Sequence, residues 1–285
     1  MNKSPKITAI LPNYNYAAYL PRRLASILNQ TLPISVLIIL DDCSTDNSRE
    51  VLDAELAKIR AKHPEIAIKT AYNRKNSGGV IHQWKKGITL ATGDFIWIAE
   101  ADDLAEPTFL ETLIAPMETD PEILISYADS KLVDPNGRLV PARTLRRTIE
   151  KFKHPAWFRP YVHAGVDELK SVAAIYNPIP NVSCAVFRRR PDLPDLLTAA
   201  AAYKLAGDWY FYVELMRRGR VAYTPQKLNL FCLHKDSVTK TTKQATYLAE
   251  LQSIQAHVAD LVPLPPKTRA AMSRQVNYLK SKWNL

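Results

Sequence analysis

The first 126 residues constrain the fold most, because short apolar runs of strand length alternate there with stretches of helical length. Strand candidates lie at 7–11, 36–40, 66–70, 95–99 and 123–126, with helix candidates near 19–29, 46–62, 80–91 and 107–119. This alternation predicts an α/β fold, a mostly parallel central sheet with helices on both faces. Thr45-Asp46 offers an N-cap for the second helix, and Glu106-Pro107 places proline where the fourth can start. In open sheets of this kind, ligands bind in the crevice beyond the carboxyl ends of the strands.

The strand at 95–99 runs straight into Glu100, Ala101, Asp102 and Asp103, within the segment Gly93 to Asp103. Three carboxylates crowded at a strand end repel one another, and a divalent cation is their natural neutraliser. Oxygen-only ligands favour Mg²⁺ or Mn²⁺ over zinc. A hard cation held by a few carboxylates keeps positions open for phosphate oxygens, which points to nucleoside diphosphate chemistry.

Apolar residues make up 47% and charged residues 23% of the chain, an ordinary soluble profile. The apolar runs are too short to span a membrane, and too few residues precede the first run for a signal peptide. Cys43, Cys184 and Cys232 show no CxxC spacing, which predicts reduced thiols in a cytoplasmic protein. The net charge of +10 gathers at 143–153, at Arg188-Arg189-Arg190 and along 267–282. Such patches attract anions: nucleotide phosphates, an acidic glycan, or the anionic inner face of a membrane at which the protein sits peripherally. Nucleic acid is not expected, since no aromatic interleaving or nucleic-acid-binding signature accompanies them.

Beyond 127 the pattern weakens. Asp134-Pro135-Asn136-Gly137 is a turn signal between two short strands. A basic, aromatic stretch at 141–180 is expected to lie over the sheet. A strand near 183–188, a helix near 205–218 and short strands at 220–223 and 228–233 follow. Two helices at 243–261 and 266–282, split by Pro263, Pro265 and Pro266, make a C-terminal appendage over 241–285.

Four polar loops lie beside the strand ends: Pro12-Asn13-Tyr14-Asn15, Asp41 to Asp46, Asn73 to Gly79, and the carboxylate cluster. In this order they resemble the P-x-Y-N, D-D-x-S-x-D, N-x-G and G-[DE]-[FY]-I-x-x-x-D-x-D-D motifs of the inverting, metal-dependent family-two glycosyltransferases. The resemblance continues through Gly207-Asp208-Trp209 and Leu233 to Thr239, and covers roughly residues 7–240. It implies the GT-A fold over 1–240, with 1–126 as a nucleotide-binding half and 127–240 as an acceptor-binding half. One departure is Glu100, which stands where the family usually has the first aspartate of D-x-D.

Carried over by position, the resemblance implies that Pro12, Tyr14 and Asn15 line the nucleobase and ribose pocket. Asp41 or Asp42 would accept a hydrogen bond from the base or ribose, and Asn76, Gly78 and Gly79 would pass close to the nucleotide. Glu100, Ala101, Asp102 and Asp103 would face the diphosphate, Asp102 as the best metal ligand. His234 would bind metal or phosphate, Lys235 would supply charge to the diphosphate, and Asp208 would be the general base. The implied activity is a hexosyl or deoxyhexosyl transfer. It would run from a nucleotide-diphosphate sugar to a glycan or glycolipid acceptor in cell-surface polysaccharide synthesis, with Mg²⁺ or Mn²⁺. The alternative is a catalytically silent binding or scaffold module of the same fold. A sugar-phosphate nucleotidyltransferase would want a glycine-rich basic loop after the first strand, and a dinucleotide oxidoreductase a G-x-G-x-x-G; neither is present.

Overall fold

The computed structural model describes residues 4–140, 155–233 and 244–285. The strands are β1 (Ile7–Asn13), β2 (Val36–Asp41), β3 (Ala67–Tyr72), β4 (Phe95–Ile98), β5 (Leu104–Ala105), β6 (Ile123–Val133), β7 (Tyr161–Ala164), β8 (Ala185–Arg188) and β9 (Arg220–Cys232). The helices are α1 (Leu20–Leu28), α2 (Ser48–Lys62), α3 (Val80–Leu90), α4 (Phe109–Thr119), α5 (Gly165–Leu169), α6 (Leu193–Ala200), α7 (Gly207–Met216), α8 (Gln244–Leu261) and α9 (Pro266–Trp283).

The strands form one sheet in the order β3-β2-β1-β4-β8-β6-β9-β5, with β7 also paired to β9. The β3-β2-β1-β4 half is wholly parallel. Antiparallel pairing enters with β8, which lies between β4 and β6, whereas β6 and β9 run parallel over most of their length. Strand residues alternate between two cores, as period-two geometry requires. Ile10, Ile38, Leu40, Ile96 and Ile98 face α3, α6, α7 and α8 on one side. Ala9, Leu11, Leu37, Ile39, Phe95 and Trp97 face α1, α2 and α4 on the other. Both faces are covered, so these strands read as continuous apolar runs.

Several boundaries differ from the sequence expectation. The helix after β2 takes Asn47 as its N-cap residue, while Asp46 Oδ1 accepts from Ser48 N at 3.0 Å. The helix expected from 107 begins at Phe109, after Thr108. The strands expected at 220–223 and 228–233 are one strand, β9, whose register against β6 slips between Thr224 and Lys227. Pro225 lies in that slip; it has no N–H for the ladder and is accommodated as a bulge. The turn at Asp134 forms as expected, with Asn136 N donating to Asp134 Oδ1 and Gly137 at φ 79°.

The two C-terminal helices share the core. Leu248, Leu251, Ile254 and Val258 of α8 and Leu279 of α9 pack with the α3–α7 layer. No helix among the described residues is long and apolar enough to cross a membrane.

Gly93 shows why the turn into β4 needs glycine. Its N–H donates to Thr8 Oγ1 at 2.9 Å, and a Cβ there would stand 2.6 Å from Lys6 O and 2.8 Å from Thr8 N. Backbone cannot yield as a flexible side chain does. Gly93→Ala is therefore expected to cost about 1–3 kcal/mol, in the range of overpacking. Thermal denaturation should show a Tm several degrees lower, with the same cooperative transition.

Candidate active site

The parallel register sets Asn13 at the end of β1 directly beside Asp41 at the end of β2. Asp41 is fully buried, and Asn13 Nδ2 (2.9 Å), Ser44 Oγ (2.5 Å), Ser44 N (3.1 Å) and Arg49 Nε (2.8 Å) all donate to it. Burial pushes its pKa up, but the bonds from Ser44, Arg49 and Asn13 outweigh burial and hold it below the usual value. Asn15 sits in the left-handed region at φ 60°, where asparagine is tolerated. Its Oδ1 accepts from Thr45 N at 2.7 Å, and its N–H donates to Ser44 Oγ at 3.0 Å. The first two loops are clasped by these bonds.

Asp42 ties in the third loop. Its Oδ1 accepts from Asn73 Nδ2 (2.6 Å), Ser77 N (2.9 Å) and Gln83 Nε2 (2.8 Å), and its Oδ2 from Ser77 Oγ (2.7 Å). Asn76 Nδ2 donates to the Asp42 carbonyl at 3.0 Å, and Gly78 takes φ 84°. Asn76, Gly78 and Gly79 are exposed, as is Tyr14 at 44%, while Pro12 is buried in the strand end.

The carboxylates after β4 are fixed one by one. Glu100 Oε1 accepts from Trp84 Nε1 of α3 at 2.5 Å. Asp103 accepts from Asn181 Nδ2 at 2.6 Å and from Cys232 N at 3.0 Å. Ala101 is buried in the core and offers only backbone, whereas Asp102 is half-buried. Burial, then the charge of Asp102, raises Glu100 to about 8 and Asp103 to about 7. Beneath them lies a residue that sequence reasoning missed. Arg23 of α1 is fully buried, its guanidinium 4.8 Å over the Trp97 ring. None of its nitrogens has a hydrogen-bond partner among the described residues. Burial lowers its pKa to about 10, opposed by the charges of Asp103, Asp102 and Glu100. The available signal was its place on the apolar stripe Leu20, Arg23, Leu24, Ile27.

Asp208 lies in the first turn of α7, after an N-cap at Ala206, so it is not the capping residue. Asn177 Nδ2 donates to its Oδ2 at 2.9 Å, and Trp209 N to its Oδ1 at 2.7 Å. Burial raises its pKa to about 6 against those two bonds. The Tyr212 hydroxyl is pushed up by burial first, then by Asp208, Cys184 and Glu100, so both carboxylates act on it electrostatically. His234 and Lys235 lie outside the described residues.

No group of three His, Cys, Asp or Glu side chains forms a ready-made metal site among the described residues. The donors present are still the right kind for a hard cation, since Glu100 and Asp102 are carboxylates that the fold leaves only half-buried. Mg²⁺ and Mn²⁺ are commonly held by one or two carboxylates, with water and substrate phosphate completing the shell. The residues therefore fit such an ion.

The sequence profile of glycosyl transferase family 2 matches residues 8–165, and the chain belongs to that family. An uncharacterized glycosyltransferase of Haemophilus influenzae is 26% identical over 236 residues, which cover 82% of this chain and 67% of the relative. The hyaluronan synthase of Pasteurella multocida is 29% identical over 140 residues, 49% of this chain but only 14% of that enzyme. The chain thus spans a small part of some curated relatives and about two thirds of others. Among solved structures, S. aureus TarS in complex with UDP aligns with a TM-score of 0.64 at 18% identity, covering 97% of this chain and 72% of TarS. A mannosyltransferase from Pyrobaculum calidifontis, in complex with GDP-Man and Mn²⁺, aligns at 0.62 and 17%, covering 98% and 70%. The fold is GT-A.

Asp41 gives a pH-dependent test of the loop clasp. Its folded pKa is depressed, so its contribution is present above the unfolded value near 3.9 and is lost as pH falls through the folded value. Asp41→Asn should lower Tm at pH 7, and the gap to wild type should narrow below about pH 4. A gap that stays constant down to pH 3 would contradict this account.

Proposed function

We propose that the chain transfers one sugar, with inversion, from a nucleoside-diphosphate donor to a glycan or glycolipid acceptor of surface polysaccharide synthesis. The observation that carries the reading is Asp208, a buried carboxyl in the first turn of α7 that is raised to about 6 and whose charge, like that of Glu100, reaches Tyr212. A base poised slightly below working pH is ionised and still accepts a proton readily.

Tyr14 is the aromatic face for the nucleobase, with Pro12 and Asn15 shaping the pocket. Asp42 is the better acceptor for a base or ribose donor, because one of its oxygens carries a single bond from Ser77. Asn76, Gly78 and Gly79 border the nucleotide. Asp102 would hold Mg²⁺ or Mn²⁺, which when bound offsets charge on the departing diphosphate. Glu100 and Asp103 position that segment, His234 would bind the metal or a phosphate, and Lys235 would supply charge to the diphosphate. In the transfer, Asp208 takes the proton of the acceptor hydroxyl as its oxygen bonds to the anomeric carbon. The bond from that carbon to the diphosphate oxygen breaks, with its electron pair going to the leaving group.

Relatives and neighbours support these classes without fixing the members. The neighbours include complexes with UDP, UDP-GlcNAc and GDP-Man. Named relatives include hyaluronan and chondroitin synthases and a putative teichuronic acid biosynthesis glycosyltransferase.

Two measurements test the proposal. In a thermal-shift screen of UDP-, GDP- and dTDP-sugars with Mn²⁺, Mg²⁺ or EDTA, one nucleotide should raise Tm only with metal, and Asp102→Asn should abolish the metal dependence. A ligand at about 100 times its Kd adds about 2.7 kcal/mol, or several degrees. In turnover, Asp208→Asn should lose about 10²–10⁴-fold, the usual contribution of a positioned base. Wild-type kcat/KM should fall as pH drops below about 6, as Asp208 takes up its proton. Nucleoside diphosphate release that is equal in Asp208→Asn and wild type would reject the base assignment.

A further inference from the structure

The helix that carries Asp208 has no side-chain cap of its own: its N-cap position is Ala206. The amides at a helix start need acceptors. On the C-terminal helix α8, Glu250 supplies one to the N-cap residue Ala206 and also holds the two residues before it. Glu250 Oε1 accepts from Lys204 N at 2.8 Å, and Glu250 Oε2 from Leu205 N and Ala206 N, each at 2.9 Å. One carboxylate thus binds three consecutive amides leading into Gly207-Asp208. Such bonds to a charged acceptor are among the stronger ones.

The same stretch of α8 holds the rest of the neighbourhood. Ser253 Oγ and Tyr203 Oη are 3.2 Å apart, and His257 Nε2 is 2.8 Å from Glu214 Oε1 of α7. The His257 ring stacks on Tyr210 with centroids 5.0 Å apart. Gln255 Nε2 donates to Ile175 O at 3.1 Å, two residues before Asn177, which itself donates to Asp208. Both approaches to Asp208, the 204–206 segment and the strand of chain bearing Asn177, are therefore anchored on α8.

We propose that Glu250 is a positioning residue for the transfer reaction: by holding the amides of 204–206 it sets where the Asp208 carboxyl stands and how it faces the acceptor hydroxyl. This rests on the reading of Asp208 as the base. Misplacement of a reacting group by about 1 Å can cost about 10²-fold, so a distant carboxylate can govern turnover without touching substrate. Glu250 also keeps a negative charge near Asp208, which helps hold its pKa up. Tyr247 of α8 and Tyr212 of its own helix are titratable groups that feel the charge of Asp208. Both hydroxyls are pushed up, first by burial and then by Asp208, and so stay neutral.

The test compares wild type, Glu250→Ala, Glu250→Gln and Asp208→Asn. Release of UDP from UDP-N-acetylglucosamine and of GDP from GDP-mannose is followed with Mn²⁺, and amide exchange at 204–206 is read by NMR. In Glu250→Ala, exchange at 204–206 should quicken at least tenfold and turnover should fall at least tenfold, with donor KM within twofold of wild type. Glu250→Gln keeps one carbonyl acceptor and should lie between. Its acid limb should also move to lower pH, because loss of a neighbouring negative charge lowers the Asp208 pKa. A folded Glu250→Ala protein with turnover within twofold of wild type, beside an inactive Asp208→Asn, overturns the proposal. If Glu250→Ala does not fold, Glu250→Gln decides on its turnover and acid limb. Full turnover in Asp208→Asn instead rejects the base reading, and this proposal with it. The exchange rates would then report only whether Glu250 holds the loop.

Discussion

Three carboxylates at the end of one buried strand cannot all stay ionised in a low-dielectric crevice unless other groups answer their charge. That requirement organises the surrounding structure. Trp84 reaches Glu100 from α3, Asn181 and the Cys232 amide reach Asp103 from the segment before β8 and from β9, and Arg23 lies buried beneath from α1. Each partner comes from a different element, so the cluster is a meeting point for the two helical layers and the antiparallel half of the sheet. The compensation is incomplete. Arg23 has no hydrogen-bonded partner among the described residues, and Glu100 and Asp103 remain raised. A buried charge left in that condition costs stability.

The loops above the sheet also use carboxylates as acceptors, for neutral donors and for the Arg49 guanidinium. Asp41 and Asp42 are consecutive, so the pleat sends them to opposite sides. Asp41 binds the first loop and, through Arg49, the start of α2. Asp42 binds the third loop and Gln83 of α3. Two adjacent residues thereby join three loops into one wall. The non-glycine residues of this wall that adopt positive φ, Asn15 and Cys43, are held there by the closed network around them. Local strain of this kind persists where surrounding contacts over-determine it.

The C-terminal helices complete the other wall. The family profile ends at residue 165, yet Asp208 and everything that supports it lie beyond that point. A parallel half-sheet binds a nucleotide with its own loops, but it has no element opposite to present a base. Here α7 carries Asp208, the proposed base, and α8 holds the segment 204–206 that leads into it.

Much of this was legible in the chain itself. Apolar runs marked the parallel half of the sheet most clearly at β2 and β4, which are buried throughout, and less so at the half-exposed edge strand β3. The spacing of Pro12 to Asn15, Asp41 to Asp46, Asn76 to Gly79 and Glu100 to Asp103 marked the strand-end loops, since such polar clusters are otherwise costly beside buried strands. Sequence could not reveal which carboxylates are occupied. Asp41 and Asp42 read as free acceptors until the fold brought Ser44, Arg49, Asn73 and Ser77 to them. The burial of Arg23 was not anticipated, because a side chain's burial depends on what packs over it. Asn177 and Glu250, 31 and 42 residues away from Asp208 in the chain, carry no local signal at all. The sequence by itself determined the sheet and the chemistry it displays; only the tertiary structure decided which groups meet, because hydrogen bonds and charges act through space, not along the chain.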